Sequence, residues 1–364
     1  MSSLSLHGFH AGLNAQFAEV NGAEVVAHYG DWLAEHTALK NSVGILDLSF
    51  RGRLCLLGAD RNTFLNGQVT NNVKDLKVGQ GCYAAVITAK GKMQSDLNIY
   101  NLENEILLDF EPGLFETVKQ RLEKYIIADD VQIVDVAPHY GLLSVQGPKS
   151  AEVLNGLQLG FVLPEKPLQF ASTKGETLGE IYLMSQPRAG SAGFDLFVPT
   201  NSTGAVADQL IAAAKQVGGR ACGWNALEIA RIEAGIPRFG VDMDETNLPP
   251  EAGLDSRAVS YTKGCYIGQE VIARIRTYGQ VAKALRGLRV ADDLKNLPVM
   301  GDKLFLGEKD VGYITSAIAS PTFKGNIALG YLRREANKIG TELILKTNDG
   351  ASSAKIVELP FDSK

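Results

Sequence analysis

Apolar residues recur along this chain at two spacings, and each spacing predicts a different kind of element. From Leu114 to Ile126 every fourth residue is apolar, which predicts an amphipathic helix. Shorter apolar runs at 82–88 and 93–100 are separated by turn residues, which predicts a β-hairpin. Helical and strand patterns alternate in this way up to about residue 275. This mixture indicates an α+β fold built in layers.

Capping and turn residues set the limits of several predicted elements. Asp31 precedes a helical pattern that ends at Lys40, and its carboxylate is expected to cap the first turn. The segment 224–235 ends with a glycine and is followed by a proline, as helices often are. The segment 164–176 contains Pro, Lys and Gly and is therefore expected to be a surface connection.

The pattern changes after Arg276 to short strands separated by Gly and Asp turns. Six strands are predicted, at 283–290, 303–306, 311–316, 327–331, 342–346 and 354–358. Such a series predicts a small antiparallel barrel or sandwich. We therefore expect an α+β region over residues 1–275 and a small barrel or sandwich of six strands over 276–364.

Composition narrows the functional classes. The chain has 364 residues, of which 45% are hydrophobic and 21% charged. Its 36 Lys and Arg against 41 Asp and Glu give a net charge of −5, which argues against general nucleic-acid binding. The sequence shows neither a secretory signal nor an apolar run long enough to cross a bilayer, so a cytoplasmic protein with no membrane partner is expected. The four cysteines are widely spaced, which predicts neither a disulfide framework nor a closed zinc site: Cys55, Cys82, Cys222 and Cys265.

The segment Lys263–Glu270, called here the octapeptide loop, places a cysteine between glycines and beside a lysine, an arrangement that suits a reactive thiol. Cys265 lies between glycines and close to Lys263, just before a predicted helix whose first turn contains Glu270. Orphan N–H groups at the helix start and the Lys263 ammonium would favour a thiolate, so Cys265 is expected to react with metals or electrophiles. The alternative is a buried, inert cysteine, because free cysteines are often buried.

Two other sets of charged residues allow ordinary explanations. Asp96 lies in a predicted strand, where carboxylates are depleted, so it either faces solvent or serves a pocket. The residues alone favour solvent. Arg231 and Glu233 lie on a predicted helix and would by themselves be read as an exposed ion pair of little energetic weight.

The octapeptide loop resembles the K-G-C-Y-x-G-Q-E signature of the YgfZ-type folate-binding proteins. These proteins assist the assembly or repair of iron–sulfur clusters and are relatives of the glycine-cleavage T-protein, an aminomethyltransferase. The resemblance implies that Cys265 is the working thiol and that Lys263 tunes it. It further implies that the rest of the motif supports or orients the loop: Tyr266, Gly268, Gln269 and Glu270.

The resemblance to the T-protein superfamily extends over essentially the whole chain. Glu35-His36 together with 43–49 resembles the opening of that superfamily, and 312–331 resembles its C-terminal barrel. This implies an α+β, three-lobed, T-protein-like folate-binding fold. Two lobes are implied within 1–275, near 1–150 and 151–275, with their interleaving left open, and a C-terminal six-stranded antiparallel β-barrel is implied over 276–364. It also implies a monomer that binds tetrahydrofolate or a related folate.

The same resemblance implies a pterin site in the first part of the chain. Asp96 matches an aspartate that lies near the reactive nitrogens of tetrahydrofolate. The stretch Arg188–Leu196 resembles a longer T-protein segment, in which Asp195 would match a carboxylate. A pterin needs a carboxylate that accepts two hydrogen bonds and an apolar wall, and Asp195 and Phe194 would supply them. A surface turn is the alternative for this shortened stretch.

The resemblance also implies that two basic residues contact the folate. Arg231 matches an arginine that contacts folate in the superfamily, in place of the exposed pair with Glu233. Lys346 stands about where the superfamily has an arginine near the folate tail.

Three functions are consistent with these features. The first is a tetrahydrofolate-binding accessory protein for iron–sulfur proteins or their assembly factors, in which Cys265 faces the folate cavity. A single thiolate cannot hold a cluster that normally has four ligands, so Cys265 would be a transient ligand or would handle a reactive intermediate. The second is a one-carbon transferase of the T-protein type, in which Asp96 assists proton movement. The third is a binding module without catalysis.

Overall fold

The computed structural model describes residues 3–157, 159–279 and 281–361. Its helices are α1 (His7–Gly12), α2 (Trp32–Asn41), α3 (Arg61–Gln68), α4 (Phe115–Glu123), α5 (Ser150–Gly156), α6 (Thr200–Gln216), α7 (Trp224–Glu233), α8 (Asp255–Ala258) and α9 (Gln269–Tyr278). Its early strands are β1 (Gln16–Val20), β2 (Ala23–His28), β3 (Gly44–Asp47), β4 (Gly52–Leu57), β5 (Gln80–Ile87), β6 (Met93–Asn101), β7 (Ile106–Phe110), β8 (Gln132–Asp135), β9 (Tyr140–Gln146), β10 (Phe170–Gly175), β11 (Gly179–Ser185), β12 (Gly193–Pro199) and β13 (Arg220–Ala221). The late strands are β14 (Lys283–Val290), β15 (Lys303–Leu306), β16 (Lys309–Ser320), β17 (Gly325–Arg333), β18 (Glu342–Thr347) and β19 (Gly350–Val357).

Internal contacts divide the chain into two compact units. The first unit comprises Met1–Val86 and Ser95–Ala230, and the second comprises Ile87–Gln94 and Arg231–Lys364. The domain limits expected from the sequence, with a division at residue 275, stay a prediction.

The early strands form two large sheets. One is a five-stranded sheet in the order β5-β6-β7-β4-β8, and the other a six-stranded sheet in the order β10-β11-β12-β9-β3-β13. Because β3 precedes the five-stranded sheet in the chain but pairs with β9, the chain of one sheet is inserted into that of the other. Helix α6 packs on the six-stranded sheet through buried residues such as Val206 and Leu210, which join Phe194 in one core cluster.

The late strands form a closed antiparallel barrel in the order β14-β17-β16-β15-β18-β19. In β18 the burial alternates, with Leu343 and Leu345 inside and Glu342, Ile344 and Lys346 exposed, as the two-residue period of a strand requires. The predicted α+β class and six-stranded antiparallel barrel are confirmed. None of the helices in the described residues is long and apolar enough to cross a lipid bilayer.

Local predictions hold where the pattern is strong and fail at one sheet edge. The Asp31 carboxylate accepts a hydrogen bond from the Ala34 amide at 3.0 Å, so the expected cap of α2 is confirmed. The prediction of a surface connection over 164–176 is wrong in its second half, where β10 pairs antiparallel with β11. This strand lies at the edge of its sheet and is largely exposed, so it lacks the apolar alternation that marks half-buried strands.

Candidate functional site

The candidate site in the first unit is built around Asp96 on β6. The Tyr83 hydroxyl, on the neighbouring strand β5, donates a hydrogen bond of 2.7 Å to Asp96 Oδ2. Asp96 Oδ1 is buried and has no hydrogen-bond partner among the described residues. The carboxylate is thus held through one oxygen, while the other remains an acceptor. The interpretation of Asp96 as a solvent-facing strand residue is therefore wrong.

The surroundings of Asp96 suit proton exchange near neutral pH. Burial, reinforced by the negative charge of Glu111, raises the pKa of Asp96 to about 6. The hydrogen bond from Tyr83 and the charge of Arg51 offset part of that rise. A carboxyl group in this range can both accept and release a proton under ordinary conditions.

Beside Asp96 lies a buried chain of ion pairs, called here the Asp109 network: Arg51, Asp109, Glu111, Arg188 and Asp195. Arg51 Nε donates to Asp109 Oδ1 at 2.7 Å, and Arg51 Nη1 pairs with Glu111. Arg188 Nη2 donates to Asp109 Oδ2 at 2.8 Å. Burial alone would raise the pKa of Asp109, but the charges of Arg51 and Arg188 outweigh it and hold the pKa well below its usual value.

Asp195 is the far end of this network. Its Oδ1 accepts from the Ser144 hydroxyl at 2.7 Å, and its Oδ2 accepts from Arg188 Nε at 2.8 Å. Burial raises the pKa of Asp195, and the Arg188 charge lowers it only in part. Both oxygens already have partners, so a pterin would have to share or displace them. The predicted role of Asp195 in binding folate stays a prediction.

Phe194 does not form a wall beside Asp195. Successive residues of a strand point to opposite faces, and on β12 Phe194 lies in the core cluster with α6. Asp195 lies on the other face, with Phe197 and Ser144. The expectation that Phe194 and Asp195 together line one pterin pocket is therefore corrected: Phe194 is a core residue that is 8% exposed.

The octapeptide loop lies in the second unit, and its thiol is exposed. The alternative of a buried, inert cysteine is wrong, because Cys265 is exposed. Helix α9 begins at Gln269 and Gly268 is its N-cap, so Cys265 precedes the helix by more than was expected. That Cys265 and Asp96 face one cavity, and that Cys265 is a reactive thiol, stay predictions.

Neighbours of Cys265 in the loop have identifiable contacts. The Lys263 ammonium lies 5.0 Å from the centre of the Tyr266 ring, and both residues are buried. Burial raises the pKa of Tyr266 to about 12. The Gln269 amide donates to the Tyr266 carbonyl at 3.2 Å, which supports the turn into α9. The tuning of Cys265 by Lys263 stays a prediction.

Glu270 forms an exposed ion pair on α9. Its Oε1 lies 2.5 Å from Arg274 Nη2, one helical turn further along α9, and both side chains are largely exposed. Glu270 is in the first turn, as expected, but it faces outward along the helix. This is an exposed i, i+4 pair, and the orienting role expected for Glu270 stays a prediction.

Arg231 and Glu233 are buried rather than exposed. Arg231 Nη1 pairs with Asp242, and its Nη2 donates to Ser316 at 3.1 Å. Glu233 accepts hydrogen bonds from the hydroxyls of Ser320 and Thr322. The interpretation as an exposed Arg231–Glu233 pair is wrong, and the folate contact of Arg231 stays a prediction.

Lys346 is an exposed residue of β18, on the outer face of the barrel. Its ammonium lies 4.2 Å from the centre of the Phe305 ring on β15. Its predicted role near a folate tail stays a prediction. No group of three or more His, Cys, Asp or Glu placed to hold a metal ion occurs in the described parts of the chain.

Several residues of the first-unit site were missed by sequence reasoning. Tyr83 looked like an ordinary strand aromatic, although its hydroxyl holds Asp96. Asp109 stands within the apolar strand Ile106–Phe110, and a charge in such a run was the available signal. Arg51 could not be assigned, because its partners are 58 and 60 residues away in the chain.

Comparisons with known proteins agree with this fold. The GCVT N-terminal domain matches residues 6–263, and the glycine cleavage T-protein C-terminal barrel domain matches residues 283–362. The chain is 29% identical to an aminomethyltransferase of Symbiobacterium thermophilum, over 98% of this chain and 96% of that protein. It is 30% identical to an aminomethyltransferase of Halalkalibacterium halodurans, over 90% of this chain and 88% of that protein. The crystal structure of glycine cleavage system aminomethyltransferase T from Bartonella henselae superposes with a TM-score of 0.88 at 23% identity, over 100% of this chain and 98% of that one, and shows the shared fold.

Proposed function

The chain belongs to the GCVT family of the glycine-cleavage T-protein, and from this premise we propose that it is a tetrahydrofolate-dependent one-carbon transferase. Relatives that match over nearly the whole chain are named aminomethyltransferases, and the family binds tetrahydrofolate. This is the second of the functions expected from the sequence. The iron–sulfur role, which was expected first, finds no counterpart in the names of these relatives.

The observation that carries the proposal is the unfilled acceptor of Asp96. A buried carboxylate oxygen without a partner costs free energy, so its retention needs a reason. A protonated ring nitrogen of a folate is a donor of the right kind for Asp96 Oδ1. The residues of the first unit therefore fit a reduced pterin. Tetrahydrofolate supplies, when bound, the amine nitrogens that accept a one-carbon unit.

Asp96 and its neighbours have different roles in this reaction. Asp96 accepts a proton at Oδ1, which its pKa of about 6 allows near neutral pH. The Tyr83 hydroxyl holds Oδ2 and so fixes the direction of Oδ1. The Asp109 network supplies a charged wall, because each of its members is held by an ion pair or hydrogen bond to another member.

The test is a comparison of Asp96→Asn with a matched control. Asp208→Asn removes an exposed carboxylate on α6 of the same unit and should change nothing. We expect the unaltered protein and the control to bind tetrahydrofolate, measured by fluorescence titration, and to transfer a one-carbon unit in a folate-dependent assay. Asp96→Asn should lose transfer by about 100-fold or more, as loss of a general base typically does.

Two outcomes would contradict the proposal. The first is the absence of saturable tetrahydrofolate binding by the unaltered protein. The second is equal transfer rates for Asp96→Asn and Asp208→Asn, which would mean that Asp96 moves no proton in the reaction.

A second candidate function is favoured by one observation, the exposed thiol of the octapeptide loop. Cys265 matches the signature of the YgfZ-type proteins and is accessible to an electrophile or metal. In this alternative the chain is a folate-binding accessory protein for iron–sulfur proteins or their assembly factors. A one-carbon transferase of the T-protein type requires no cysteine there.

Replacement of the thiol separates the two candidates. Cys265→Ala should abolish support of iron–sulfur enzyme activity in a cell lacking this protein if the accessory role is correct, while Thr262→Ala, an exposed neighbour, should retain it. If Cys265→Ala retains full support and Asp96→Asn abolishes folate-dependent transfer, the transferase is correct and the accessory role is rejected.

A further inference from the structure

Arg53 on β4 is a buried cation whose hydrogen bonds are incomplete. The residue is 1% exposed. Its Nη2 donates to the carbonyls of Ser49 at 3.0 Å and Ala137 at 3.2 Å. Its Nε and Nη1 are buried and have no hydrogen-bond partner within the described residues. Since buried guanidinium groups are normally fully hydrogen-bonded, this one calls for a further acceptor.

The carboxylates near Arg53 do not supply that acceptor. Burial lowers the pKa of Arg53 to about 10, so the group stays charged at neutral pH, helped by the charges of Asp109, Asp47 and Asp135. The oxygens of Asp109 accept from Arg51, Arg188 and Asn98. Those of Asp47 accept from Ser49 and pair with His10, and Asp135 accepts from Ala137. Counter-charge is therefore present, but each of these carboxylates already has other partners.

Arg53 lies on the wall of a cavity of about 510 Å³ within the first unit. The rest of the wall combines apolar side chains with a few hydroxyl groups and two charged residues, Arg51 and Asp135. Leu4, Phe50 and Phe115 contribute apolar surface, and Ser49 and Tyr140 contribute polar groups. A mostly apolar cavity of this size that contains a few polar and charged groups is the usual form of a site for a small organic molecule.

We propose that this cavity binds a small organic carboxylate, whose oxygens accept the hydrogen bonds that Arg53 leaves unfilled and whose apolar body packs on Leu4, Phe50 and Phe115. Arginine is suited to this role because its planar guanidinium matches a carboxylate. Nε and Nη1 are buried, so binding requires a local displacement of the cavity wall. This site is independent of the function proposed for Asp96.

The first test uses benzoate as the probe, at constant ionic strength with chloride as the replaced anion. We expect saturable binding to the unaltered protein by calorimetry, with a Kd on the order of 1 mM or tighter. Arg53→Met should weaken binding at least ten-fold while the protein still folds, because an apolar side chain of similar length can fill the space. Arg121→Met, which replaces another buried arginine of the first unit, should bind benzoate as the unaltered protein does.

A second measurement keeps the proposal testable if Arg53→Met does not fold. In crystals grown with 4-bromobenzoate, the bromine should be located by its anomalous signal between Leu4, Phe50 and Phe115. The proposal is overturned by the absence of saturable benzoate binding, by equal binding to Arg53→Met, or by bromine elsewhere only. Inorganic phosphate that binds as tightly as benzoate would also overturn it, since the apolar body would then contribute nothing.

Discussion

The Asp109 network and the octapeptide loop differ in the solvent exposure of their charged and reactive groups. In the network, Arg51 and Asp109 are buried and Arg188 is partly buried, and each is held by several hydrogen bonds or ion pairs. In the loop, Cys265 is exposed, and the nearby ion pair of Glu270 and Arg274 lies in solvent. The network therefore fixes its geometry through desolvated charge, whereas the loop is shaped by its backbone and by the packing of Tyr266.

This difference indicates which residues can be altered without loss of structure. Removing one member of a buried network leaves its partners with less opposite charge to compensate them. The positions of the partners and the stability of the fold are then expected to be lost together. Removing an exposed side chain of the loop changes its chemistry alone. The four predictions that follow test this contrast, from the largest effect to the smallest.

Asp109→Asn should give the largest loss of stability among these variants. The change keeps the shape of the side chain but leaves Arg51 and Arg188 without their shared anion. We expect the free energy of unfolding to fall by about 3–5 kcal/mol, measured by denaturant titration at neutral pH. For Asp208→Asn, which alters an exposed residue of the same unit, the free energy of unfolding should stay within about 0.5 kcal/mol of that of the unaltered protein.

The pH dependence of this effect has a definite sign. The pKa of Asp109 is held below its unfolded value, so its stabilisation is present above a pH of about 4 and is lost as the pH falls further. The difference between the unaltered protein and Asp109→Asn should therefore shrink in acid. A difference that is small at neutral pH, or constant with pH, would show that the network is not held by charge.

Gly268→Ala tests the claim that backbone geometry shapes the octapeptide loop. Gly268 has a φ of +81°, and a Cβ added there would lie 2.4 Å from the Thr88 carbonyl oxygen. The left-handed backbone costs about 1–2 kcal/mol for alanine, and the crowding adds about 1–3 kcal/mol. Gly279, at the other end of α9, has a φ of +72° and open space around it. Gly279→Ala should therefore cost the backbone part only, and equal losses for the two variants would refute the steric argument.

Asp96→Asn should make the protein more stable and less active. Because the folded pKa of Asp96 is raised to about 6, its ionised form is destabilising, and this cost grows as the pH rises from about 4 to about 6. Above pH 7 we expect the free energy of unfolding of the variant to be about 1–3 kcal/mol larger than that of the unaltered protein. This difference should disappear in acid. Urea unfolding at a series of pH values measures this. A variant that is less stable at every pH would mean that Asp96 is a structural residue.

Patterns local in the sequence predicted the barrel well. Strand β14 was expected at 283–290 and occurs as Lys283–Val290. Strand β18 shows why local patterns suffice in the barrel, because its burial alternates from one residue to the next. The Asp31 cap of α2 is equally local. Strand β10 was missed because an exposed edge strand shows no such alternation.

Pairing between distant residues could not be predicted. The residues alone predicted that Arg231 pairs with Glu233, two positions along the chain. In the structure Arg231 pairs with Asp242, and Glu233 accepts hydrogen bonds from Ser320 and Thr322. In the candidate site, Asp96 was recognised but Tyr83 was not, since their contact depends on the register of β5 against β6. The sequence thus indicates which residue types carry chemistry, whereas the fold decides which of them meet.

Glu270→Gln is the smallest expected change and the sharpest test of the loop. The Glu270–Arg274 pair is exposed at 77% and 70% of the two side chains, so its loss should cost no more than about 0.5 kcal/mol. Because Glu270 faces along α9, the rate at which Cys265 is alkylated should also be unchanged. Arg274→Gln is the matched control and should behave in the same way. If Glu270 instead orients the loop, as the motif alone suggested, Glu270→Gln should change the alkylation rate several-fold while Arg274→Gln leaves it constant.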